Sequence, residues 1–145
     1  PPVHHPQALK RSRQSEKRRQ QNAHVKSTIR SSVKAVRYAV DQLQQVEAGR
    51  HIHPQEIEKH LKSVSVGKRN DYEKNGFKDV FKKAEALLKK YDAKKHATFL
   101  RQLAQADLHA SRRLIGKAAS KGVFPARTAS RKISRLDRLV NTVSA

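Results

Sequence analysis

The chain is 145 residues long and carries 33 Lys or Arg against 12 Asp or Glu, a formal charge of +21 on about one domain's length of polypeptide. It has no cysteine, which excludes a disulfide framework, a thiolate metal site and a cysteine nucleophile, and Leu, Ile, Val and Phe make up only 32 residues, enough for a small core. No apolar run approaches the ~20 residues of a membrane span and no signal-peptide pattern opens the chain, so no membrane partner is expected and a polyanion is the natural neutraliser.

The charge is uneven. Residues 1–40 hold ten basic side chains and one acid, residues 41–111 fourteen and ten, and residues 112–145 nine and one. Two polyanion-seeking arms therefore flank a nearly balanced middle. In chain order, a Pro-rich tail at 1–7 gives way to a long basic helix over 8–48. Its apolar residues Val25, Ile29, Val33, Val36, Val40, Leu43 and Val46 recur every three or four positions, the stripe of an amphipathic helix. Between Arg11 and His24 only Ala23 is apolar. Tertiary packing supplies most helical stability, so this first half is expected to be ordered by its partner.

Residues 49–91 read as a helical insertion. His53 and Pro54 open a short helix to Lys62, Ser63–Gly76 reads as a loop rich in turn residues, and Phe77, Val80, Phe81, Ala84, Leu87, Leu88 and Tyr91 form a second stripe. Asp92 caps the next helix, over 92–122, whose apolar line runs from Phe99 to Ile115; Gly116 is one expected stopping point and Gly122 the final one. After a turn at Gly122–Pro125, a last helix within 126–145 starts at Thr128 or Ser130 and carries Ile133, Leu136, Val140 and Val143. The fold class is all-α: an elongated three-helix bundle with a long basic first helix and a helical insertion between helices one and two, residues 8–145 forming a single domain.

Lys10, Arg11, Gln14, Ser15, Glu16, Lys17, Arg18, Arg19 and Asn22, followed by Ser27, Arg30, Lys34 and Val36, resemble the opening helix of the small-subunit ribosomal protein family conventionally numbered twenty. Leu114–Gly122 with Val123 and Phe124, then Ala129, Arg131, Lys132, Ser134, Arg135 and Leu136, resemble that family's second helix, turn and third helix. The chain departs from the pattern at Gly116, where the family usually has an acid, and at Pro125, Ala126 and Arg127. The resemblance implies a non-catalytic protein without cofactor. Such a protein binds small-subunit rRNA early in assembly and joins the 5′ domain to the long penultimate stem.

The chemistry fits that expectation. Basic residues at Lys10, Arg11, Arg13, Lys17, Arg18, Arg19, Lys26 and Arg30 face every side of the helix, as suits a rod among several phosphate backbones, and Lys34, Lys121, Arg127, Arg131, Lys132 and Arg135 extend the basic set to the other arm. Gln14, Gln20, Gln21 and Asn22 add polar groups that can reach 2′-hydroxyls or base edges, and Ser15 and Ser27 join the expected rRNA-binding set through the resemblance. Only Tyr38 and Phe124 are aromatic in the two arms, which disfavours a base-stacking platform. Glu16 is expected to pair with a neighbour such as Arg19. In the insertion, Lys82, Lys83, Lys89, Lys90, Lys94 and Lys95 alternate with acids and apolar residues, the pattern of a solvated face. That segment is expected to be separable from the RNA-binding core, to pack on the bundle's end or on another small-subunit protein, and, by its length, to favour a plastid or mitochondrial ribosome over the bacterial cytoplasm.

Other functions find less support. His51, His53 and His60 lack metal-ligand spacing, and no nucleophile elbow or phosphate loop is present. A DNA-binding basic zipper would share the separation of Asn22 and Arg30 but needs sustained heptads, which stop at Gly49 and Pro54. A histone-like compactor would need only the composition. No homo-oligomer is expected.

Overall fold

In the computed structural model, residues 5–50, 54–64 and 66–143 are described; they form six helices and no strand. Helix α1 runs unbroken from Pro6 to Glu47, with Pro6 in its first turn, where a missing amide costs nothing. At 42 residues it is about 63 Å long. It ends where Gly49, at φ 77°, turns the chain so that the Arg50 amide donates to the Gln45 carbonyl.

Helix α5, Ala93–Ser120, is the centre of the fold. Asp92 caps it by accepting from the Lys94 amide at 2.9 Å. It runs antiparallel to α1: Ser32 and Ser111 share a hydrogen bond of 2.6 Å at mid-length, and Arg101 pairs with Glu47 near one end. Gly122 (φ 75°) closes α5, the Val123 amide returning to the Ala118 carbonyl. The chain then re-enters helix as α6, Ala126–Asn141. Arg101 also donates to the Val143 carbonyl, and Arg112 lies 3.8 Å from Asp137, so α6 runs antiparallel to α5 and parallel to α1. Ile29, Val36, Val40 and Leu43 from α1, Leu103, Ile115 and Ala118 from α5 and Ala129, Leu136 and Val140 from α6 belong to one core, as the stripes predict.

Three short helices lie between α1 and α5: α2 (Pro54–Ser63), α3 (Val66–Lys74) and α4 (Asp79–Lys89). Ile57, Leu61, Tyr72, Val80, Phe81, Ala84 and Leu87 are buried in the same core as the bundle. The segment thus packs on the flank formed by α1 and the first half of α5, with His60 stacked 5.8 Å from the Tyr38 ring.

Three sequence expectations need correction. Ser63–Gly76 is not a loop, because α3 occupies most of it. No apolar stripe announces this helix; its anchor is the single buried Tyr72, stacked on Phe81 at 5.4 Å and donating to the Asp107 carboxylate. Gly116 does not stop α5. It faces solvent between the buried Ile115 and Ala118, and packing on either side outweighs the ~1 kcal/mol that glycine costs a helix. The last helix starts at Ala126, before Thr128 or Ser130, with Pro125 in extended geometry at its cap and the Ala129 amide donating to the Pro125 carbonyl. His51 and His53 lie outside the described residues.

Candidate nucleic-acid interface

The first half of α1 has no core beneath it. Every residue from Leu9 to Gln21 is exposed, Asn22 is half-buried, and the first fully buried side chain is Ile29. Lys10, Arg11, Arg13, Gln14, Ser15, Lys17, Arg18 and Arg19 therefore stand on all sides of a helix that projects past the bundle. Glu16 is held by Arg19 at 2.6 Å, and that hydrogen bond keeps its carboxyl below the usual range and the guanidinium above its own.

Where α1 meets the bundle, two grooves gather predicted residues from distant parts of the chain. In the first, Lys17, Arg18 and Asn22 face Lys121, Gly122 and Val123 at the α5 turn. In the second, Lys26 and Arg30 face Phe124, Thr128 and Lys132 at the start of α6, with the Lys132 ammonium 6.0 Å from the centre of the Phe124 ring. Ser15, Arg18, Arg19, Asn22, Lys26 and Arg30 also line one continuous side of α1. The antiparallel pairing of α1 with α5 and the short turn into α6 cause this convergence. Ser27 and Lys34 are exposed on α1, and Arg127, Arg131 and Arg135 on α6, without lining either groove.

The sequence pattern of the ribosomal protein S20 family matches residues 3–62 and 52–141. The chain belongs to this family. Among its relatives, the small ribosomal subunit protein bS20 of Geotalea daltonii is 32% identical over 98% of this chain and 99% of its own length. The bS20 protein of Geobacter sulfurreducens is 30% identical over 97% and 98% respectively. That of Nitratidesulfovibrio vulgaris is 35% identical over 63% of this chain but 97% of its own length, so the present chain is the longer of the two. No solved structure matches.

Ribosomal protein S20 is structural and not an enzyme. The relatives are bacterial, which leaves the organellar preference drawn from the insertion without support. The two matches overlap at residues 52–62, in the segment between α1 and α5. Charge counting passes over His24 and Thr128, which line the grooves as uncharged or weakly basic groups. Their signal lies only in their position, His24 one turn from Gln20 on α1 and Thr128 on α6 just after Phe124 in the preceding turn.

Proposed function

We propose that the chain is a structural constituent of the small ribosomal subunit that binds its rRNA directly, joins the 5′ domain to the penultimate stem early in assembly, and stabilises that junction during translation. The observation that carries this reading is the projecting half of α1, exposed from Leu9 to Gln21 and basic on every side. A helix with no apolar face to bury is poorly stabilised alone but well suited to a cleft between phosphate backbones, where each cation releases a counterion. The two grooves give the arm a base: Lys17 and Arg18 with Lys121, and Lys26 and Arg30 with Lys132, present paired cations across which one backbone can run. Arg18 and Arg30 supply bidentate phosphate contacts, whereas the lysines supply adjustable point charges and Arg19 is engaged with Glu16. Gln14, Ser15, Asn22 and Ser27 reach riboses or base edges in a wide minor groove. Lys34, Arg127, Arg131 and Arg135 extend the field along the bundle.

The apolar stripe of α1 is spent on α5 and α6 rather than left for a second copy, which weighs against a zipper and against a homo-oligomer. Neighbouring small-subunit proteins meet the chain through its central insertion. The test is sedimentation of tagged protein with ribosomal particles: it should travel with small subunits and early assembly intermediates, and footprint the 5′ domain and penultimate stem. A protein found with DNA, or free of ribosomal particles at all stages, contradicts the proposal.

A further inference from the structure

The positive excess of the chain's middle lies in one place. Outside Lys78–Lys95, residues 41–111 hold seven basic and seven acidic side chains. Several of these are visibly paired: Lys62 with Glu58 at 3.0 Å, Lys68 with Asp107 at 3.7 Å, and Arg101 with Glu47. Between Lys78 and Lys95 stand seven lysines and three acids, and among the described ion pairs none of those lysines takes part. Asp92 is committed to capping α5, and Asp79 sits in the first turn of α4, where a helix dipole favours it.

These lysines share a surface. Lys78, Lys82 and Lys89 lie on the side of α4 away from Val80, Ala84 and Leu87, which face the core; all three are exposed, and the exposed Glu85 stands among them as the one acid of that side, outnumbered three to one. Lys90, Lys94 and Lys95, also exposed, continue round the elbow into the first turn of α5. Positive charge at a helix N-terminus is unfavourable in the free protein, a cost that an anion relieves. The 28 residues of α5 put about 42 Å between this elbow and the Lys121 turn. That is several times the ~8 Å screening length at physiological salt, so the two basic surfaces cannot act as one field.

We propose that the face from Lys78 to Lys95 is a second RNA surface, which holds a phosphate backbone separate from the one held by α1. The inference rests on the ribosomal reading above and deepens it. RNA backbone is the occupant that the chemistry selects. The basic groups are all lysine, point charges that follow an array of phosphates without fixing its geometry. The only large apolar side chain exposed there is Leu88, at 37%, which offers a protein partner no deep anchor.

The experiment compares three full-length proteins on small-subunit rRNA, by hydroxyl-radical footprinting and by binding across a salt series. They are the unaltered chain, an arm variant (K17Q/R18Q/R19Q) and a face variant (K82Q/K89Q/K90Q/K94Q/K95Q), with circular dichroism showing that helicity is equal in all. The face variant should lose a set of backbone protections that the arm variant keeps. Its log–log salt slope should fall by roughly 0.7 to 0.9 for each phosphate released, with at least two released. An unchanged footprint and slope overturns the proposal, as does an intact footprint with loss of a neighbouring ribosomal protein, which would make the face a protein surface. An unaltered chain that protects no rRNA overturns the ribosomal reading itself, and this inference with it.

Discussion

Residues 25–46 and residues 9–22 belong to one uninterrupted helix, yet different forces hold them. The later half buries Ile29, Val36, Ala39, Val40, Leu43 and Val46 against α5 and α6, so its hydrogen bonds are kept by the core. The earlier half is exposed almost throughout and has one acid, Glu16, for its many cations. Exposed ion pairs of this kind add little to stability. Helical geometry alone therefore says little about stability: one half is helical because the protein folds, whereas the other has no core beneath it and, on the proposed function, is held by RNA.

Substitution should separate the halves. Leu43→Ala, at a fully buried position, is expected to cost about 2–5 kcal/mol in denaturant unfolding, whereas Leu9→Ala in the arm should stay within ~0.5 kcal/mol. A comparable loss at Leu9 would mean that the arm has a core of its own. The converse holds for binding. The K17Q/R18Q/R19Q protein should lose about 100-fold in rRNA affinity, or ~2.7 kcal/mol, with its unfolding midpoint unmoved. A shifted midpoint would break the division of labour.

A smaller effect is expected from joining Gly49 to Asp92, which removes α2, α3 and α4. Because Ile57, Leu61, Tyr72, Phe81 and Leu87 share the bundle's core, the shortened chain should unfold at lower denaturant. Its rRNA affinity should nonetheless fall no further than that of the K82Q/K89Q/K90Q/K94Q/K95Q protein, since α1, α5 and α6 make both grooves and only the lysine face is lost. A loss beyond that of the face variant, in a folded protein, would show that the insertion also positions the arm.

What could be read in advance follows from how each element is stabilised. The stripes of α1, α5 and α6 were legible because a helix that packs on one side must repeat its apolar residues at helical spacing. Helix α3 was not, since one aromatic, Tyr72, replaces a stripe and its acceptor Asp107 is 35 residues away. Asp107 itself looks like an ordinary surface acid among Leu103, Ala106 and Leu108, although it is 2% exposed. For the candidate interface, composition marked the arm. It could not pair Lys26 with Lys132 or Lys17 with Lys121, which depends on the antiparallel return of α5. The lysine face of α4 was hidden by its alternation with acids, which in the structure mostly serve helix ends.

The finest distinction concerns pH. Burial lowers the pKa of His60 and of His96 below their usual 6.5, so the fold favours their neutral forms. The sign follows directly: the stability tied to neutral imidazole is present above 6.5 and is lost as pH falls through the lowered folded values. Burial raises Asp107, which acts in the opposite sense, its share being full below its usual 3.8 and lost as pH rises. Between pH 7 and pH 5 the melting temperature should therefore fall less in a His60→Gln, His96→Gln protein, in which Asp107 is retained, than in the unaltered chain. Equal slopes would mean that burial does not favour the neutral rings.

Amide hydrogen exchange along α1, measured on the full chain free and then bound to small-subunit rRNA, tests the central claim most directly. Residues 9–22 should exchange at nearly the unprotected rate in the free protein and become protected on RNA, while Ile29–Val46 stays protected in both. Protection of residues 9–22 in the free protein equal to that of Ile29–Val46, or none gained on RNA, would contradict it.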